Sequence, residues 1–143
     1  MTPSLFDRVL VPVADPEDAE HTARALQQLP DLPNELIVGY VIEKASGAPD
    51  KASIAQREEV AADVFNAFLA EYPGEYQSSA RVVTLYGRDI ATTIQDAATQ
   101  ADATAIAFVP RDAHTVLKLL SGNTAVKLIE ESSIPVLSLP DPD

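Results

Sequence analysis

Apolar runs of strand length alternate along this chain with amphipathic stretches of helix length, a pattern that predicts a parallel sheet covered by helices on both faces. "RVLVPV" (Arg8 to Val13) has no polar residue after its first and predicts a strand buried on both sides. In "ADPEDAEHTARALQQL", Asp15 stands as an N-cap, Pro16 at the first helical position, and Ala19, Thr22, Ala23 and Leu26 along one face. Pro30 and Pro33 are expected to end that helix. "ELIVGYVIE" predicts the second strand and "KASGAPDKA" a loop of turn-forming residues.

The next helix is the most regular, with Ile54, Ala61, Val64, Phe65, Phe68 and Tyr72 near one face and Ser53 and Gln56 placed as a capping box. Pro73 and Gly74 stop it. "SARVVTL" predicts a third strand, and in "YGRDIATTIQDAATQ" Ile90, Ala91, Ile94, Ala97 and Ala98 share a helical face. "ATAIAFV" is the fourth strand, "TAVKLIEES" a helix with Ala125, Val126 and Ile129 inward, and "SIPVLSLP" the fifth strand. This strict alternation predicts one domain over residues 1–143, without repeat or linker and with a short "PDPD" tail. Sheets of this kind usually reverse strand order once and gather ligands there, at the carboxyl ends of the strands. The pattern alone leaves that point open.

Composition narrows the function. The absence of cysteine excludes disulfides, thiolate catalysis and the usual structural zinc sites. No apolar stretch approaches a membrane span, and "MTPSLFDR" lacks the basic start and apolar core of a secretory signal, so a cytoplasmic protein is expected. Asp and Glu number 22 against 10 Lys and Arg, a net charge of −12 spread along the chain. No basic stripe exists to release counterions, so neither nucleic acid nor anionic membrane is an expected partner. Only four lysines occur, and this acid-rich, lysine-poor surface suggests a host with molar internal salt, of haloarchaeal type.

Catalytic constellations are lacking. There is no His-Glu-x-x-His, nucleophile elbow or complete phosphate loop. His21 is expected on an exposed helix face and His114 in a loop, both solvated. Asp15, Glu17 and Asp18 are explained by their position at a helix N-terminus, where carboxylates offset the dipole, without a metal shared with Asp112. The expectation is no catalytic residue, no metal site and no enzyme.

Two segments, "RVLVPVADPEDAEHTARAL" and "ATAIAFVPRDAHTVLKLLSGNTAVKLIEESSIPVLSLP", resemble the opening and the close of the universal stress protein family, with "SIPVLSLP" similar to its final Pro-Val-Leu-Val pattern. The resemblance runs from Phe6 to Leu139. It implies a Rossmann-like α/β fold of the adenine nucleotide alpha hydrolase type, an open five-stranded parallel sheet of order 3-2-1-4-5 with its switch point between the first and fourth strands. Val13 to Asp18 would then face Val109 to Ala113 across one crevice. Nucleotide-binding members carry Gly, two residues, Gly, nine residues, Gly, then Ser or Thr. Here those positions fall on Val109, Asp112, Gly122 and Asn123, so one glycine of three is kept. The aspartate that ends the family's first strand is replaced by Ala14, while Pro12 and Val41 fall where the family lines its adenine pocket.

Phosphate loops use glycine because it reaches positive φ without steric cost and brings backbone N–H groups close to an anion. Valine and aspartate do neither. A carboxylate about 4 Å from a phosphate oxygen opposes it by about 4 kcal/mol at an effective dielectric near 20, close to a thousandfold in affinity. Arg111 turned inward, or the N–H groups of Thr124 and Ala125 at a helix start, would work the other way.

The candidate cofactor-binding set is therefore Pro12, Ala14, Val41, Arg111, Gly122, Asn123 and Thr124. The loop 109–123 is expected to be degenerate and to bind ATP weakly or not at all, with Val116, Leu117, Leu119 and Leu120 packing a short turn onto the body. The alternative is an adenine-nucleotide sensor that uses the altered loop. The resemblance further implies a C2 homodimer through Ile134–Leu139, antiparallel and short because Pro135 and Pro140 limit ladder bonds, and a stress-response role through protein contacts.

Overall fold

The computed structural model describes residues 4–43, 54–110 and 122–142. Along the chain run β1 (Arg8–Val13), α1 (Pro16–Leu26), β2 (Glu35–Glu43), α2 (Ile54–Glu71), a 3-10 helix (Gly74–Ser79), β3 (Ala80–Gly87), α3 (Ile90–Gln100), β4 (Ala105–Phe108), α4 (Gly122–Glu131) and β5 (Val136–Ser138). The five strands form one sheet in the order β3-β2-β1-β4-β5, every pair parallel. This is the order the family resemblance implies. The chain runs outward from β1 through β2 to β3, then returns to β4 on the other side of β1, so the reversal lies between β1 and β4.

The continuous apolar run of β1 explains its central place. Val9, Val11 and Val13 enter a core with Ala19, Ala23 and Leu26 of α1 and Val64 and Phe68 of α2. Leu10 turns to the opposite face and joins Ile94 of α3 and Leu128 of α4. The helices thus divide two and two between the faces, because a strand exposes alternate side chains to opposite sides.

Local chemistry sets the element ends. Asp15 caps α1 and Asp89 caps α3, each side chain accepting an N–H three residues on. The first helix ends at Leu26, before Pro30, because the amides of Gln28 and Leu29 turn back to the carbonyls of Ala25 and Leu26 at 3.1 Å. After α3 the amides of Asp102 and Ala103 bond the carbonyls of Thr99 and Ala98, a Schellman closure that holds Asp102 at φ 54. β4 begins only at Ala105, since Thr104 is committed to β1: its N–H donates to Arg8 O at 2.7 Å and its hydroxyl to Leu5 O at 2.8 Å.

Two sequence expectations change, beside the 3-10 turn Gly74–Ser79 that follows α2. β3 continues through Tyr86 and Gly87, which pair with Ile42 and Glu43 instead of opening α3. In α4 the buried residue is Leu128, whereas Val126 and Ile129 are 52% and 53% exposed. Ala125 and Leu128, three apart, share the inward stripe and turn the two β-branched residues outward. The loop expected at 44–52 and the capping residue Ser53 lie outside the described residues.

Tyr72, just after α2, is buried against Phe68 with ring centroids 5.0 Å apart. Its hydroxyl has no hydrogen-bond partner among the described residues, and burial pushes the phenol up to about 12. Removing an unsatisfied buried hydroxyl removes a cost, so Tyr72→Phe is expected to hold or raise stability, by up to ~1 kcal/mol. Urea unfolding midpoints of the two chains check this.

Candidate functional site

The β1 run ends at Val13, and the chain turns through Ala14 and Asp15 into α1. Two carboxylates lock that turn. Asp15, in extended backbone, accepts the Asp18 N–H on Oδ1 at 2.7 Å. Asp18 reaches back and accepts the Ala14 N–H on Oδ2 at 2.9 Å. Asp18 is 1% exposed, so the carboxyl end of the central strand holds a buried acidic side chain bonded to the very amide that leaves the sheet. In the sequence Asp18 reads as one of three acids offsetting a helix dipole; its spacing to Asp15 is visible there, and its burial is not.

Across the reversal, β4 runs through Phe108 to Val109, which is 2% exposed and belongs to the same core as Val13 and Leu139. Phe108 O accepts the Leu139 N–H at 2.8 Å, which ties the end of β5 to the same place. The position aligned with the family's first loop glycine is therefore part of the packed core.

The other candidates divide. Pro12 pairs with Gly39 in the sheet and is buried, and Val41 is buried among Leu10, Ile90 and Phe108. Over Gly39, between them on that face, Leu85 and Leu10 fill the space a side chain would take: a Cβ there would meet their Cδ1 atoms at 3.0 and 3.4 Å. Ala14 is half-buried at the turn. Gly122, Asn123 and Thr124 are the first three residues of α4, with Thr124 half-buried. Arg111, Asp112 and His114, with the apolar residues 116–120, lie outside the described residues, as does the side chain of Asn123.

α4 is moored beside α3 by Lys127, whose ammonium donates to Asp89, the α3 cap. That bond holds the Asp89 carboxyl below and the Lys127 amine above their ordinary values. Tyr40, opposite Val13 on β2, was not anticipated as a neighbour of the site; burial chiefly raises its phenol, and Tyr86 and Asp15 add to the effect.

The amino ends of the strands hold a recess of about 430 Å³ lined by Asp7, Arg8, Asn34, Glu35, Asp102 and Thr104. Its charges are spent on one another. Arg8 Nε donates to Glu35 at 2.6 Å and Nη1 to Ala101 O at 3.0 Å, while Asp7 accepts from Ser4 and Asn34. Glu35 is lowered mainly by its bond from Arg8, and Asp7 mainly by the Ser4 amide.

Because Asp7, Glu35 and Asp89 are all depressed, each contributes stability that is present above its unfolded value near 4 and lost as pH falls through the folded value. Thermal stability is expected to be flat from neutrality to about pH 5 and to decline below it. Replacing Asp89 by asparagine should flatten part of that decline in a pH series of melting curves.

Among the described residues no group of three or more His, Cys, Asp or Glu could hold a metal ion, and no helix is long and apolar enough to cross a membrane.

The sequence model of the universal stress protein family matches residues 5–140. Among solved structures of similar fold are a universal stress protein from Archaeoglobus fulgidus in complex with dAMP (18% identity over 96% of this chain and 100% of that one, TM-score 0.60) and one in complex with cAMP (14%, 96% and 99%, TM-score 0.61). A universal stress protein from Lactobacillus plantarum is 18% identical over 96% of this chain and 100% of its own, with a TM-score of 0.55. No curated protein matches the chain. At these identities the solved structures carry the fold alone, and membership rests on the family match over nearly the whole length. This chain belongs to the universal stress protein family.

Proposed function

We propose that this chain is a non-enzymatic, dimeric universal stress protein of a single domain, acting through protein contacts in the cytoplasm and binding ATP weakly or not at all. The observation that carries the reading is the buried Val109, since the position where nucleotide-binding members carry the loop's first glycine serves packing here. The Asp18 side chain supports it, because its bond from the Ala14 N–H commits that amide within the turn that ends β1. The acid-rich, lysine-poor composition fits a haloarchaeal host, whose molar salt would screen the −12 charge to within about 3 Å. Calorimetric titration with ATP in molar KCl tests the reading: no saturable heat up to millimolar ligand is expected, and micromolar affinity would overturn it.

A second reading, an adenine-nucleotide sensor, is favoured by the relatives crystallised with dAMP and cAMP and by the start of α4 at Gly122, where the first-turn amides lack helical partners. The same titration separates the two.

The dimer is proposed through β5, the outer strand beside β4. Leu139 drops out of the expected contact set, since its side chain and N–H are both committed to the core. Ile134, Val136 and Leu137 remain, and Val126 and Ile129 add exposed apolar surface on α4, which leads into the same strand. Ile129→Glu is expected to convert a dimer into a monomer at micromolar concentration in sizing chromatography with light scattering. A monomeric parent chain would contradict edge pairing.

A further inference from the structure

We propose that His21 and Asp141 form a proton-operated clasp that ties the C-terminal tail to α1. His21, expected on a solvated face, is buried to 13% side-chain exposure. Its Nε2 lies 3.0 Å from Asp141 Oδ1, and its Nδ1 lies 3.4 Å from Arg24 Nη2. A guanidinium has donors only, so Nδ1 accepts from Arg24, and Nε2 carries the proton that it donates to Asp141. The neutral ring is thereby satisfied on both sides.

The tail's sequence suits this role. Asp141 stands between Pro140 and Pro142. Proline fixes its own φ and restricts the residue before it to extended backbone, so Asp141 is presented with little conformational freedom left to lose. Neither proline carries an N–H, which leaves the Asp141 side chain as a principal handle on the segment. Two residues before Asp141 the chain is anchored by Leu139, whose N–H donates to Phe108 O at 2.8 Å.

A second proton on the ring changes both contacts in opposite senses. At Nε2 the bond to Asp141 becomes a charge-assisted ion pair, about twice as strong as a neutral one. At Nδ1 a new N–H faces the Arg24 donors and expels them. Arg24 has an alternative, because its Nη1 lies 4.0 Å from Glu71 Oε1 at the end of α2. Among the described residues, the charged groups arrayed around the ring are Asp141 from the tail, Arg24 on α1, Glu71 from α2 behind Arg24, and Glu17 and Asp18 one turn back, the last engaged with Ala14. Acid tightens the tail onto α1 and passes Arg24 to α2; alkali relaxes the tail. Since the tail continues from β5, the clasp sets how firmly the end of the open edge strand is held.

Hydrogen exchange read by NMR on the intact chain tests the clasp, with the Leu139 amide as internal reference. After correction for intrinsic rates, Asp141 is expected to be at least about threefold better protected near pH 6 than near pH 8. Asp141→Asn should abolish that pH dependence, and so should His21→Gln, which cannot take the proton. Equal protection in the parent chain at the two pH values, or a dependence that survives either substitution, overturns the proposal.

Discussion

Asp112→Gly is expected to raise ATP affinity by about a hundredfold at ~0.1 M salt. The substitution acts twice. It removes a carboxylate which, about 4 Å from a phosphate oxygen, would oppose it by about 4 kcal/mol at an effective dielectric near 20, the equivalent of nearly three decades. It also returns a residue free to adopt positive φ at the position aligned with the family's second loop glycine. Part of the gain is withheld because Val109 and Asp18 stay in place. Asp112→Asn separates the two effects, since it discharges the side chain without freeing the backbone; it should recover only the electrostatic share. That share should shrink in molar KCl, where the screening length falls from about 10 Å to about 3 Å, while the backbone share persists. A gain below threefold for Asp112→Gly at low salt would mean that the loop's charge is not what holds nucleotide off.

The second large effect concerns Asp18. Asp18→Ala is expected to cost about 2–3 kcal/mol of folding stability. The Ala14 N–H would be left without its acceptor in a closed turn, a loss of about 1–3 kcal/mol, and an acid would be lost from the first turn of α1, about 0.3–1 kcal/mol more. Asp18→Asn keeps an acceptor oxygen at the same reach and should lose markedly less. Guanidinium unfolding in molar KCl measures both. If the alanine variant loses under 0.5 kcal/mol, Asp18 is not the lock on this turn, and its burial must be read as incidental.

Much of the fold was legible because β1 declares itself. A run with no polar residue after Arg8 has no solvent face, which makes it central, and the helical patterns on either side then require crossovers. The order of the strands came from the family resemblance, and the structure bears it out. Short-range spacing was less decisive in α4. Ala125, Val126 and Ile129 satisfy a helical stripe as well as Ala125 and Leu128 do, and only the packing of Leu128 between α3 and the sheet chooses between them.

The site was less readable for the same reason. Pro12 and Val41, which the resemblance sets at adenine-lining positions, are buried in the sheet, with leucines filling the space over Gly39 between them. The capping of α1 by Asp15 follows from sequence spacing. That Asp18 closes onto Ala14 and His21 onto Asp141 depends on where a turn and a tail are placed, and neither pair shares an apolar period that a linear reading can detect.

The central proposal is that this crevice is closed to ATP by its own side chains. Its most direct test is a titration of the ¹⁵N-labelled chain with ATP in molar KCl, followed at the amides of Ala14, Thr124 and Ala125. The account predicts no saturable shift at these three amides up to millimolar ATP. Saturation at all three with a midpoint in the micromolar range would contradict it.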